Sequence, residues 1–144
     1  MKTKITIEKL ALHYIVRYYQ AEILHACAVW DEINADNDAD EWASATEIRS
    51  RAIEDQYKNR RRADFYRKEL KDILDEESVY EVYETAALAR SLLLEARKQK
   101  DHDPKHWAPL INIYDGDELI DTGLRENLEA GAIAAGYEIR GILN

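Results

Sequence analysis

The chain has 144 residues, 46% of them hydrophobic and 34% charged, with a formal net charge of −9, 5 glycines and 2 prolines. That length suits one core rather than two, and the hydrophobic share excludes a disordered chain. The acidic balance argues against nucleic-acid binding by the chain as a whole, because such a binder must displace counterions with positive charge.

A single cysteine, Cys27, cannot form an internal disulfide. The opening stretch is interrupted by Glu8, Lys9 and Arg17, so it has no secretory apolar region, and no segment approaches the length of a membrane span. The expectation is a soluble, cytoplasmic protein.

In chain order, residues from about 6 to 34 form a first helix, since Leu12, Val16, Tyr19, Ile23, Ala26, Trp30 and Ile33 alternate steps of four and three. A second stripe, Ala11, Ile15, Tyr18 and Val29, widens the apolar arc enough to face two neighbours. The acids between Asp36 and Glu41 break the pattern. A second helix follows from about 42 to 75, with Ala45, Ile48, Ala52, Ala63, Tyr66, Leu70 and Ile73 on one side. A third starts at Ser78, which makes a capping box with Glu81, and runs to about Lys100 through Val82, Ala86, Ala89, Leu93 and Ala96.

The run from Asp101 to Pro109 holds both prolines and reads as a linker. Beyond it, LINIY and ELIDT flank Asp115-Gly116, a pair suited to a tight hairpin. LRENLEAGAIAA reads as a short helix stopped at Gly136, and YEIRGIL as a last strand. KTKIT near the start alternates and would add an edge strand.

The predicted fold class is α+β and mainly helical, in a single domain. Residues 1–100 form a three-helix body with a long antiparallel helical hairpin. Residues 110–144 form a β-β-α-β tail that packs on the body or on a partner chain, having few core positions of its own.

Four constellations invite chemistry. DNDADEWASATE, residues 36–47, places Asp36, Asp38, Asp40 and Glu47 at the ligand spacing of a helix–loop–helix calcium site, with Ser44 and the Trp42 backbone between. The sixth position must turn sharply and is normally glycine, yet here it is Glu41. The stretch therefore reads as a chain reversal, with Asp38 and Glu41 or Ser44 and Glu47 capping the second helix.

Glu22 and His25 have the Glu-x-x-His spacing of di-iron bundles, but the full site needs a second such pair, and His13, His102 and His106 supply none. A charged Arg90 lies in the apolar arc of the third helix and needs a partner. First and third helices run parallel in an up-down-up body, which brings Glu22 and Arg90 to one height. The expectation is a buried or half-buried ion pair with charged groups within about 6 Å, serving to fix helix register.

QYKNRRRADFYRK interleaves cations and aromatics as single-stranded nucleic-acid binders do. From Arg49 to Lys71 nine basic residues meet four acids, a net of +5 that leaves −14 for the rest. The cations do not share one face: Arg49, Arg60, Arg67 and Lys71 flank one side of the apolar seam, and Arg51, Lys58 and Arg62 the other. Pairing of Glu54 with Lys58, Arg51 with Asp55, Arg60 with Asp64 and Asp64 with Lys68 would make it an internally neutralised surface. Should it bind anything, the residues are Tyr57, Arg60, Arg61, Arg62, Phe65 and Arg67.

DHDPKH, residues 101–106, lacks a second cluster to complete a metal site, and nothing marks Cys27, placed beside the face opposite the main seam, as a nucleophile. No Gly-rich phosphate loop, Ser-based elbow or Cys-x-x-Cys pair occurs.

No cofactor and no enzymatic activity are therefore expected. The reading is a small acidic accessory or regulatory protein acting by protein–protein contact, as a homodimer and with a larger partner. Its concrete form is a phage or mobile-element inhibitor of a host nuclease or defence complex. A nucleic-acid or nucleotide binder through the basic helix 49–71 is the alternative, and a metal-dependent bundle enzyme using Glu22 and His25 comes second.

Overall fold

The computed structural model describes residues 7–98 and 108–143. Their order is α1 (Ile7–Ile33), α2 (Ala35–Asp38), α3 (Ala45–Ile73), α4 (Glu76–Arg97), β1 (Leu110–Asp115), β2 (Glu118–Leu124), α5 (Arg125–Ala135) and β3 (Glu138–Gly141). This is the mainly helical α+β fold with a β-β-α-β tail. KTKIT and the segment DHDPKH lie outside the described residues.

Helix α1 is the common partner. Tyr18 lies beside Arg67, and Ala28 beside Gln56, so α1 and α3 run antiparallel along their length. Tyr18, Glu22 and Cys27 lie beside Tyr83, Arg90 and Arg97, so α4 runs parallel to α1 and touches α3 far less. The wide apolar arc of α1 explains this: Val16, Tyr19, Ile23 and Ala26 of one stripe and Ala11 and Tyr18 of the other are all buried. Alanines at 26, 63, 86 and 89 keep the helices close. Ile33, at the end of the first stripe, is instead 71% exposed, where α1 gives way to α2.

Two helix starts differ from the sequence reading. Between α1 and α3 the acids do not form an open loop: Asn34 begins the extra turn of α2, its side chain donating to the Trp30 carbonyl. The Asp40 Oδ1 then accepts from the Trp42 and Ala43 amides, and the Ser44 Oγ accepts from the Glu47 amide at 3.1 Å, which starts α3 at Ala45 instead of 42.

The third helix starts before Ser78. Asp75 is its N-cap, and the Ser78 amide donates to it at 2.8 Å; Ser78 is thus on the receiving side of the cap. A carboxylate at N-cap, followed by Glu76 and Glu77 in the first turn, suits the positive end of the helix dipole better than a hydroxyl three residues later. The cap holds the Asp75 carboxyl below its usual range.

In the sheet, β1 is central and antiparallel to both neighbours, in the order β2-β1-β3. Gly116, at φ 62, opens the two-residue hairpin loop and Asp117 completes it; among the described residues no non-glycine residue has positive φ, which fits a type II′ turn. Alternation along β1 splits the core. Leu110, with Leu124 and Ile142, joins the main core against the helices, while Ile111 and Ile113 pack with Ala132 of α5. The tail docks on the body, where the Gln20 Nε2 donates to the Ile142 carbonyl at 2.9 Å. Among the described residues no helix is long and apolar enough to cross a membrane.

Candidate functional site

Midway along the body, α1, α3 and α4 contribute polar side chains to one junction. The Arg90 Nη1 donates to the Glu22 Oε2 at 3.2 Å and to the Glu22 carbonyl at 3.0 Å, and it lies 3.0 Å from the His25 Nδ1. The two side chains are only 27% and 16% exposed. Parallel packing of α1 and α4 supplies the matched heights, and the half-buried carboxylate and guanidinium compensate each other's lost hydration.

Because a guanidinium nitrogen only donates, the His25 Nδ1 must accept, which puts the ring proton on Nε2 and the imidazole in its neutral form. Burial first, then the charges of Arg90 and Arg60, lower the His25 pKa to the same effect. Glu22 and His25, the pair that would face a metal, thus both turn toward Arg90. Among the described residues no group of three His, Cys, Asp or Glu side chains is placed to hold a metal ion. Asp36 and Asp38 lie on α2, Asp36 pairing with Arg49 at 3.3 Å, while Asp40 caps a turn.

One turn away, the Arg67 Nη2 donates to the Tyr18 hydroxyl at 3.3 Å, and the guanidinium carbon lies 4.7 Å from the centre of the Tyr83 ring. The Tyr83 hydroxyl donates back to the Arg67 carbonyl at 3.3 Å. Tyr18 and Tyr83 pack at 5.6 Å between centroids, and burial raises the pKa of both phenols. The Arg67 Nε is buried with no hydrogen-bond partner among the described residues.

Between these groups lies a cleft of about 250 Å³ lined by Glu22, His25, Arg60, Ala63, Asp64, Arg67 and Arg90. Three guanidiniums, one neutral imidazole and two carboxylates face it.

The residues nominated for binding divide. Arg60 and Arg67 join the cleft. Tyr57, Arg61 and Phe65 follow one another at steps of four along the outer side of α3, with Tyr57 67% and Phe65 55% exposed. Arg61 leans over the Tyr57 ring at 5.9 Å, Phe65 meets Tyr66 edge-on at 5.1 Å, and Arg62 is exposed on a different flank.

The internally neutralised surface does not form. None of the four pairs expected along α3 lies within ion-pair distance among the described residues, including Arg60 and Asp64, which line the same cleft. At a solvated helix surface such pairs gain too little to hold two flexible side chains in register.

Cys27 also departs from its expected place. It packs against the main core, and its Sγ accepts from the Arg97 Nη2 at 3.3 Å. Burial still pushes its pKa up, as it does that of Asp31, which pairs with Arg97 at 3.7 Å. A thiol so placed is a packed side chain. Tyr18, Tyr83, Asp64 and Arg97 are the site residues that sequence reasoning missed; an arginine placed one turn from a tyrosine-bearing arc was the signal available.

No protein-family model, no curated protein and no solved structure matches the chain.

Proposed function

We propose that this chain acts by contact with another protein, and that the outer side of α3 is the docking surface. The observation that supports it is the exposure of Tyr57 and Phe65 in line with Arg61, on a helix whose cations lack their expected partners along the helix. Aromatic and arginine side chains are enriched at protein interfaces and among the residues that carry most of their binding energy. Residues 49–71 of α3 carry a local excess of +5 and the rest of the chain −14, so the partner surface is acidic; a second copy of this chain satisfies that, giving a homodimer.

The biological form of the reading is a small accessory or regulatory protein, of the kind a phage or mobile element uses to inhibit a host nuclease or defence complex. There the acidic remainder would face a cationic nucleic-acid channel. No catalytic role is assigned.

The test pairs light scattering with affinity capture from a cell extract, using wild type and Tyr57→Ala/Phe65→Glu side by side. A dimer, or a captured protein, that the double variant loses supports the reading. A monomer with an unchanged capture profile removes it.

A nucleic-acid or nucleotide binder through α3 is the second reading, favoured by Arg60, which has no ion-pair partner among the described residues. Salt-dependent binding of RNA or DNA, lost when Arg61 and Arg62 become Glu, would promote it; no binding at low salt would end it.

A further inference from the structure

We infer that the cleft between α1, α3 and α4 binds a small tetrahedral oxyanion, phosphate or the terminal phosphate of a phosphomonoester, through Arg60, Arg67, Arg90 and the His25 Nε2–H. This does not depend on the protein-contact reading, which rests on Tyr57, Arg61 and Phe65, none of which lines the cleft.

Unused donors carry the argument. Arg90 spends only Nη1 on Glu22 and His25, so its Nε and Nη2 make no hydrogen bond among the described residues. Arg67 spends only Nη2, on Tyr18, so its Nη1 makes no hydrogen bond among the described residues. Arg60 forms neither a hydrogen bond nor an ion pair among the described residues, although Asp64 lines the cleft with it. His25 is fixed with Nδ1 accepting, which frees Nε2 to donate.

These donors come from three helices whose packing is set elsewhere, so they are oriented before any ligand arrives. Guanidinium forks match the oxygens of phosphate and carboxylate alike. Three forks and an imidazole outnumber the two oxygens of a carboxylate, whereas a phosphate offers three or four. At roughly 30 Å³ per water-sized group, a cleft of about 250 Å³ takes a phosphate and the first atoms of its carrier.

Two carboxylates stand against an anion. Glu22 is already neutralised by Arg90 at 3.2 Å. Asp64 is exposed and unpaired among the described residues, so it opposes the ligand directly. That gives the test an arm of opposite sign.

The full chain is titrated in phosphate-free buffer with inorganic phosphate and, separately, with adenosine monophosphate, following heat and the His25 ring signals by NMR. Saturable one-to-one binding that shifts His25, weakens about tenfold in Arg60→Gln and strengthens in Asp64→Asn supports the site. Tighter binding of the nucleotide identifies a phosphomonoester, and equal or tighter binding of phosphate identifies the free ion. Both variants change exposed side chains, and circular dichroism checks that they fold. No saturation by either probe at roughly 10 mM, or an affinity unchanged in Arg60→Gln, overturns the proposal.

Discussion

Arg67 and Arg61 stand on the same helix and meet opposite environments. Arg67 donates to Tyr18, packs over Tyr83 and keeps a buried nitrogen in reserve, whereas Arg61 rests loosely on an exposed Tyr57. Six positions of sequence set two side chains about 120° apart around the helix, one in the junction of three helices and the other in water. Residue type therefore does not separate a structural cation from an available one on α3. Helix phase does, together with which neighbour happens to lie opposite.

Mutations can break or sharpen that contrast. The largest effect is expected on the inner side, where Leu70 is fully buried: Leu70→Ala should lower stability by about 2–5 kcal/mol in chemical denaturation, while Phe65→Ala on the outer side should stay within about 0.5 kcal/mol. Equal losses would erase the distinction between the two sides. Next, Arg67→Ala should cost about 1–3 kcal/mol through its lost hydrogen bond and ring contact, and Arg61→Ala almost nothing.

Glu22→Ala should come third, at about 1–2 kcal/mol, because it leaves a half-buried Arg90 without its carboxylate. If the pair fixes helix register, as we hypothesise, a double-mutant cycle with Arg90→Ala should give a coupling of at least about 0.5 kcal/mol; additive losses would count against it.

The smallest effect concerns pH. The folded pKa of His25 lies below the usual 6.5, so the unfolded chain takes up the proton first. Stability should hold above that value, decline as pH falls through it toward the folded pKa, and fall no further from this source below it. His25→Gln should flatten that stretch of the profile, and an unchanged slope would show that other groups carry it.

Much of the architecture was legible from apolar periodicity. The two stripes of α1, the glycines at 116 and 136 and the alternation in β1 each reflect a local rule that tertiary packing had no reason to override. Glu22 and Arg90 could be brought together by helix direction and height alone. What escaped was decided across helices or by small differences. Asp75 outcompeted Ser78 as a cap through its charge, and Arg67 found Tyr83 only because α4 follows α3 after two residues. The pairs expected along α3 failed because spacing permits an ion pair in water without making it worthwhile. The cleft itself has no sequence signature, since its donors lie on three segments with unrelated spacings.

The bond between Gln20 and the Ile142 carbonyl joins positions 122 residues apart, and it gives synthesis a timetable. Helix α1 is made before the sheet that covers part of its apolar arc, and that sheet includes β3. With roughly 110 residues still to add at about 5–20 per second, α1 waits on the order of ten seconds with that patch uncovered. Arrested nascent chains ending at Lys98 should accordingly bind an apolar dye that the finished protein excludes, and a dye signal equal to that of the finished chain would show that the body covers the patch by itself.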